Sequence, residues 1–166
     1  TGRWASIEAL KQGVDISMIT SACTARIMSN HLDEREKAWQ LIHSPAVGLS
    51  PDKESFAAMV REALYTGKII AYAQGFSLMQ DASRLYGWNL DLGKIASIFR
   101  AGCIIQAVFL NDITHAFEAE PKPESLIFDG FFLSRINEHQ DSLRQAVSTG
   151  VMNGLPIPAL CNAVSY

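Results

Sequence analysis

Apolar residues recur along this chain at spacings of three and four, the period of an α-helix. In the first segment, Gly2 to Gln12, Trp4, Ile7 and Leu10 share one helical face, and Gly13 offers a stop. Asp15 is placed to cap a second helix, in which Ile16, Ile19, Cys23 and Ile27 form the apolar stripe. That helix is expected to run into Asp33-Glu34-Arg35-Glu36-Lys37, a solvated face, with a loop from His43 to Pro51. Ser50-Pro51 then has the form of an N-cap followed by proline at the first helical position. The helix it opens is expected to reach about Tyr86, on the order of 50 Å. Ala63, Gly67, Ala71 and Gly75 lie four apart within it, a ridge of small residues that lets other helices approach its backbone.

Beyond the turn at Gly87-Trp88-Asn89, Asp91 can cap a short helix through Phe99. The run Cys103 to Leu110 taken alone would suit a buried strand, but Ile113 and Phe117 continue it at helical spacing, which predicts a helix. Pro121 and Pro123 break the chain. Phe128 to Val151 resumes a helical stripe with Phe132, Ile136, Leu143 and Val147, and Gly154-Leu155-Pro156-Ile157-Pro158 ends it. The pattern predicts one all-α, multi-helix domain around a long central helix rich in small residues, with no repeat and no strand.

Composition adds limits. The 166 residues are 48% hydrophobic and 19% charged, enough to bury a core. No run approaches the roughly 18 apolar residues of a membrane span. The net charge of −3 is spread along the chain, without the clustered Lys and Arg of a nucleic-acid surface. Three scattered cysteines, Cys23, Cys103 and Cys161, do not suggest a disulfide framework and suit a reducing compartment. No signal peptide is expected; the start at Thr1-Gly2-Arg3-Trp4 and the finish at Ser165-Tyr166 suggest a piece truncated at both ends.

The usual catalytic constellations are missing: no G-x-G-x-x-G, no phosphate loop, no H-E-x-x-H and no C-x-x-C. His31, His43, His115 and His139 lack metal-ligand spacing, and His115 with Glu118 makes two candidate ligands at most. Glu138-His139-Gln140-Asp141 reads as a helix surface or a subunit contact. Two positions suggest anion binding. Thr1-Gly2 sits at a helix start, where a hydroxyl and free N–H groups either cap the helix or hold a phosphate. Arg26, within the otherwise uncharged stretch Ile16 to Ile27, can snorkel to water, pair with an acid, or offer a guanidinium fork to a phosphate.

The words of the chain carry further. Ala63-Leu64-Tyr65-Thr66-Gly67-Lys68-Ile69-Ile70-Ala71-Tyr72-Ala73-Gln74-Gly75-Phe76 closely resembles a stretch of the decarboxylating 6-phosphogluconate dehydrogenases. So do Ile98-Phe99-Arg100-Ala101-Gly102-Cys103-Ile104-Ile105, Phe131-Phe132 and Gly154-Leu155-Pro156-Ile157-Pro158, in the same order, and the likeness runs from Thr1 to Tyr166. The resemblance implies the C-terminal all-helical domain of that family, cytoplasmic and homodimeric, with residues 1–166 as the substrate-binding and dimerisation domain. The family's Rossmann domain, which holds NADP, and its acid–base lysine and glutamate would precede this chain; a tail reaching the partner subunit would follow it.

The resemblance also implies roles. Arg26, in Thr24-Ala25-Arg26, matches the family arginine that binds the substrate phosphate, and Thr1 matches the threonine of a Lys-Gly-Thr-Gly segment near that phosphate. No catalytic, cofactor-binding or metal-ligating residue is assigned here. Where the family commonly has Cys-Ile-Ile-Arg, this chain has Cys103-Ile104-Ile105-Gln106, which removes a charge from what reads as a buried helix. Lys68, Arg100 and His115 are left as structural. The implied parent activity is oxidation of 6-phosphogluconate by NADP with loss of CO2 to ribulose 5-phosphate, a reaction of the pentose phosphate pathway and of gluconate utilization. The 166 residues alone are expected to be inactive, and neither metal, nucleic acid nor membrane is expected as a partner. The alternatives are a non-catalytic helical dimerisation module and a related hydroxy-acid dehydrogenase with another substrate.

Overall fold

A computed structural model describes residues 2–43, 47–48 and 52–166. Its helices are α1 (Gly2–Gln12), α2 (Ser17–Met28), α3 (Leu32–Leu41), α4 (Lys53–Tyr86), α5 (Leu92–Ile98), α6 (Leu110–Glu118), α7 (Gly130–Met152) and α8 (Pro158–Ser165), with a single 3-10 turn at Leu126–Phe128. No strand occurs among the described residues. None of these helices is long and apolar enough to cross a membrane.

The long helix α4 is the organising element, and its ends follow local chemistry. Asp52 accepts hydrogen bonds from the backbone N–H groups of Glu54 and Ser55, both at 3.0 Å. Hydrogen bonding, first from the Ser55 side chain and then its backbone, holds the Asp52 carboxyl below the usual carboxylate range. The cap is therefore Asp52; Ser50 and Pro51, expected to fill that role, lie outside the described residues.

Two clusters of buried side chains wall α4. On one side Ile69, Tyr72, Ala73 and Phe76 meet Leu92 and Ala96 of α5, Leu110, Ile113, Ala116 and Phe117 of α6, and Phe132 of α7. Phe109 stands edge-on to both Tyr72 and Phe132, and Phe76 stacks on Phe117 at 5.3 Å. On the other side Ala63 and Ile70 join Met18 of α2, Leu143 of α7 and Ala163 of α8. The small-residue ridge lies beneath this second cluster. A Cβ added at Gly67 would stand 2.7 Å from Leu160 Cδ2 and 3.4 Å from Met18 Cε, whereas at Gly75 the nearest atom, Ile19 Cδ1, is 3.9 Å away.

Tyr72 places its hydroxyl in the first cluster without a hydrogen-bond partner among the described residues. Burial pushes its pKa up. An unpaired buried hydroxyl costs about 1–3 kcal/mol of desolvation. Tyr72→Phe is thus expected to keep the fold and raise stability by about 1 kcal/mol, read from thermal unfolding. A clear loss of stability would mean that the hydroxyl is hydrogen-bonded after all.

Several expectations are corrected. Trp4 and Leu10 do not face the core: they are 70% and 84% exposed, and the buried residue of α1 is Ala9. The helix packs instead through the small face Gly2, Ser6 and Ala9, where the Ser6 and Thr20 hydroxyls share a hydrogen bond of 2.9 Å. Gly13, at φ 72°, ends α1 as expected, and Val14 N–H returns to Ala9 O. The second helix does not continue into the charged stretch. It stops at Met28, and that stretch belongs to a separate α3.

Of the run Cys103 to Leu110, only Leu110 is helical. Gly102 takes φ 66°, the chain passes through turns, and the helix begins only at Leu110. Ile104 and Val108 are almost fully exposed, so the apolar run is not a buried stripe. Gln106 lies on this exposed turn, where its carbonyl accepts from Lys68 Nζ at 2.9 Å. The departure from the family arginine therefore falls at the surface. The last helix, α8, was not expected: Pro158 reads as a terminator but occupies the first turn of a helix.

Candidate functional site

The candidate site lies on α2, and both ends of that helix are held by identifiable groups. Ile16, its N-cap, has no side-chain hydrogen bond to give. The first amides are taken from elsewhere. Asp15 Oδ1 accepts from Ser17 N at 2.7 Å, which bears out its capping role. Gln74 of α4, fully buried, accepts from Met18 N at 3.0 Å through Oε1 and donates from Nε2 to Ser17 Oγ at 3.3 Å. A buried amide of the central helix thus caps α2 across the core.

At the other end Arg26 is exposed, and the described residues give it no ion-pair partner. Its Nη1 donates to Ser29 Oγ at 2.8 Å, and the same hydroxyl donates to Arg26 O at 2.7 Å. Arg35, on α3, donates from Nη1 to Ser29 O at 3.2 Å. Two guanidinium groups therefore converge on one serine. Beside them runs a groove of about 410 Å³ walled by Thr24, Ala25, Met28, Ser29, Arg35, Pro156 and Pro158. Arg26 itself borders Ser29 rather than lining that groove.

The start of α1 reaches the same region. A Cβ at Gly2 would lie 3.2 Å from both Cβ and Sγ of Cys23, and Cys23 is one helical turn before Arg26. Thr1, the second expected phosphate contact, lies outside the described residues.

The other candidates do not assemble into a site. His115 and Glu118 are both exposed on α6. His139 faces α4, with Nδ1 3.8 Å from Glu62 and Nε2 3.8 Å from Glu138, and Tyr65 stands edge-on to its ring. Ser142 Oγ donates to Glu62 at 2.5 Å. The serine thus bonds the acid directly, leaving the imidazole no proton to relay, so this is an α4–α7 contact and not a hydrolytic triad. Arg100 donates to Asn111 Oδ1 at 2.6 Å and to Ser97 O at 3.2 Å. The three cysteines are free, and no metal-ligand cluster occurs among the described residues.

Sequence reasoning missed Gln74, Ser29 and Arg35. Gln74 had a signal: a polar residue between Ala73 and Gly75 in the interior of a small-residue helix. Arg35 had none, being one of several charges in an alternating run.

Comparison with known proteins gives a consistent answer. The family model described as "6-phosphogluconate dehydrogenase, C-terminal domain" matches residues 1–166. The chain is 43% identical over 166 residues to a decarboxylating 6-phosphogluconate dehydrogenase of Lactococcus lactis and 44% identical over 167 residues to the human one. In each case the alignment covers all of this chain and 35% of the relative, so the chain spans about a third of their length. Its fold superposes with a TM-score of 0.91, at 35% identity, on the Plasmodium falciparum 6-phosphogluconate dehydrogenase, solved in its apo form, with its cofactor NADP+ and with its substrate 6-phosphogluconate. That match covers 99% of this chain and 36% of the other.

Proposed function

This chain belongs to the 6-phosphogluconate dehydrogenase family, and on that premise we propose that the protein carrying it oxidises 6-phosphogluconate, with NADP as acceptor and loss of CO2, to ribulose 5-phosphate in the cytoplasm. Residues 1–166 serve as its helical substrate-binding and dimerisation domain. The observation that carries this reading is Arg26: an exposed guanidinium without an acid partner, at the end of a helix anchored in the core, beside the start of α1. A guanidinium binds a phosphate through charge-assisted, often bidentate hydrogen bonds. Holding the phosphate end fixes where the rest of the substrate lies relative to groups supplied by another domain. Thr1 is a second phosphate contact in the same reading, supported by the packing of its neighbour Gly2 on Cys23.

The residues of this chain do not fit NADP. The chain carries no glycine-rich dinucleotide motif, and the described residues include no strand to lead into one. Support for a dimer contact on this domain is the apolar surface it presents, with Leu10 and Trp39 both more than four-fifths exposed.

The test is to measure NADP reduction with 6-phosphogluconate for the 166-residue chain and for the longer protein. Activity is expected only in the longer one. Turnover by the 166 residues alone would contradict the division of labour, and silence in both would favour a non-catalytic helical module. Turnover of gluconate comparable to that of 6-phosphogluconate would indicate a different hydroxy acid.

A further inference from the structure

An anion held at the end of α2 faces an electrostatic difficulty. A helix C-terminus carries roughly half a negative charge on its last carbonyls, which is the wrong end for a phosphate. An arginine in the last turn often relieves this by folding back onto those carbonyls, which consumes its donors.

Here the carbonyls are satisfied without Arg26. Ala25 O accepts from Ser29 N at 2.9 Å, Ile27 O from Asn30 N at 3.0 Å and Met28 O from His31 N at 3.0 Å. Arg26 O accepts the Ser29 hydroxyl at 2.7 Å, and Ser29 O accepts Arg35 Nη1 at 3.2 Å. Every carbonyl from Ala25 to Ser29 therefore has a donor, and none of those donors is the Arg26 guanidinium. Arg26 spends Nη1 on Ser29 Oγ, which leaves other N–H groups of its fork for a ligand.

We propose that Ser29 and Arg35 are positioning residues for the phosphate site. The Ser29 hydroxyl orients the Arg26 guanidinium while closing the Arg26 carbonyl. Arg35 closes the Ser29 carbonyl and adds a second positive charge at a helix end that would otherwise repel the anion. This rests on Arg26 as the phosphate ligand.

The experiment uses the full-length enzyme with Arg26→Ala, Ser29→Ala, Ser29→Thr, Arg35→Gln and the double variant Arg26→Ala/Ser29→Ala. Ser29→Ala and Arg35→Gln are each expected to raise KM for 6-phosphogluconate by about 5–20-fold and to leave KM for NADP within about twofold. Both should weaken competitive inhibition by inorganic phosphate in the same proportion. Ser29→Thr, which keeps the hydroxyl, should restore KM to within about threefold. In the Arg26→Ala background, adding Ser29→Ala should change KM by less than about twofold, because its effect runs through the arginine.

Ser29 and Arg35 are not positioning residues if their substitution moves both KM values together. The same follows if Ser29→Ala keeps its full effect without Arg26. Should Arg26→Ala alone leave KM for 6-phosphogluconate unchanged, the phosphate reading fails and takes this proposal with it. A large Arg26 effect with silent Ser29 and Arg35 variants removes only the positioning roles. Both positions are at or near the surface, so unfolding is not expected, and thermal unfolding of each variant reports on it directly.

Discussion

In the full-length protein, Arg26→Ala is expected to raise KM for 6-phosphogluconate by about 10²–10⁴-fold while KM for NADP stays within about twofold. The magnitude follows from two hydrogen bonds between charged partners, each about 1.5–3 kcal/mol, with little compensating loss inside the protein. Arg26 lacks an acid partner among the described residues, and its contact with Ser29 is local. Removing it thus breaks no network in the core. Arg26→Lys should recover part of the affinity, since a point charge remains but the planar fork does not. Steady-state kinetics with each substrate varied in turn decide the matter. Equal rises in both KM values would remove Arg26 from the phosphate site.

The second large effect concerns stability. Gly67→Val is expected to destabilise the protein by about 3 kcal/mol, a fall in Tm of about 6–12 °C for a domain of this size. An alanine here has one contact to relieve, the flexible end of Leu160, which can rotate away. Valine adds two further methyl groups between α4, α8 and the Met18 end of α2, where no side chain can yield without opening the second cluster. Gly75→Ala supplies the contrast. Its Cβ meets nothing closer than 3.9 Å, so the helix-propensity gain of up to about 1 kcal/mol should dominate. Thermal unfolding of the two variants should diverge in sign; a shared sign would mean that the ridge is not what sets the helix spacing.

What could be read from the chain depended on which interactions are local. The extent of α4 and the caps at Asp15 and Asp91 are set within a few residues, and the sequence pattern predicts them. The ridge of small residues also announced close neighbours, though not which ones. The end of α2 was harder, because the turn Ser29 to His31 that closes it carries no glycine or proline. The stretch Cys103 to Leu110 misled for a different reason. Ile104, Ile105 and Val108 are exposed while Phe109 and Leu110 are buried, and a periodicity argument assumes that apolar means buried throughout. The shared face of Trp4 and Leu10 is likewise exposed, and the face of α1 that packs is the one bearing glycine, serine and alanine. Of the candidate site, Arg26 was visible as an isolated charge and Gln74 as a polar residue inside a small-residue helix, whereas Arg35, one charge among several, left no local pattern.

Gln74 makes α2 a lever. Its pivot is the amide of Met18, gripped 3.0 Å from a side chain buried in the central helix. The working end is Arg26, eight residues on, about 12 Å away at 1.5 Å per residue. A tilt of about 5° at the pivot would sweep the guanidinium through about 1 Å, a displacement that can cost as much as about a hundredfold in rate when it misplaces a reacting group. A buried amide of the central helix therefore helps to fix where the exposed cation at the far end of α2 stands.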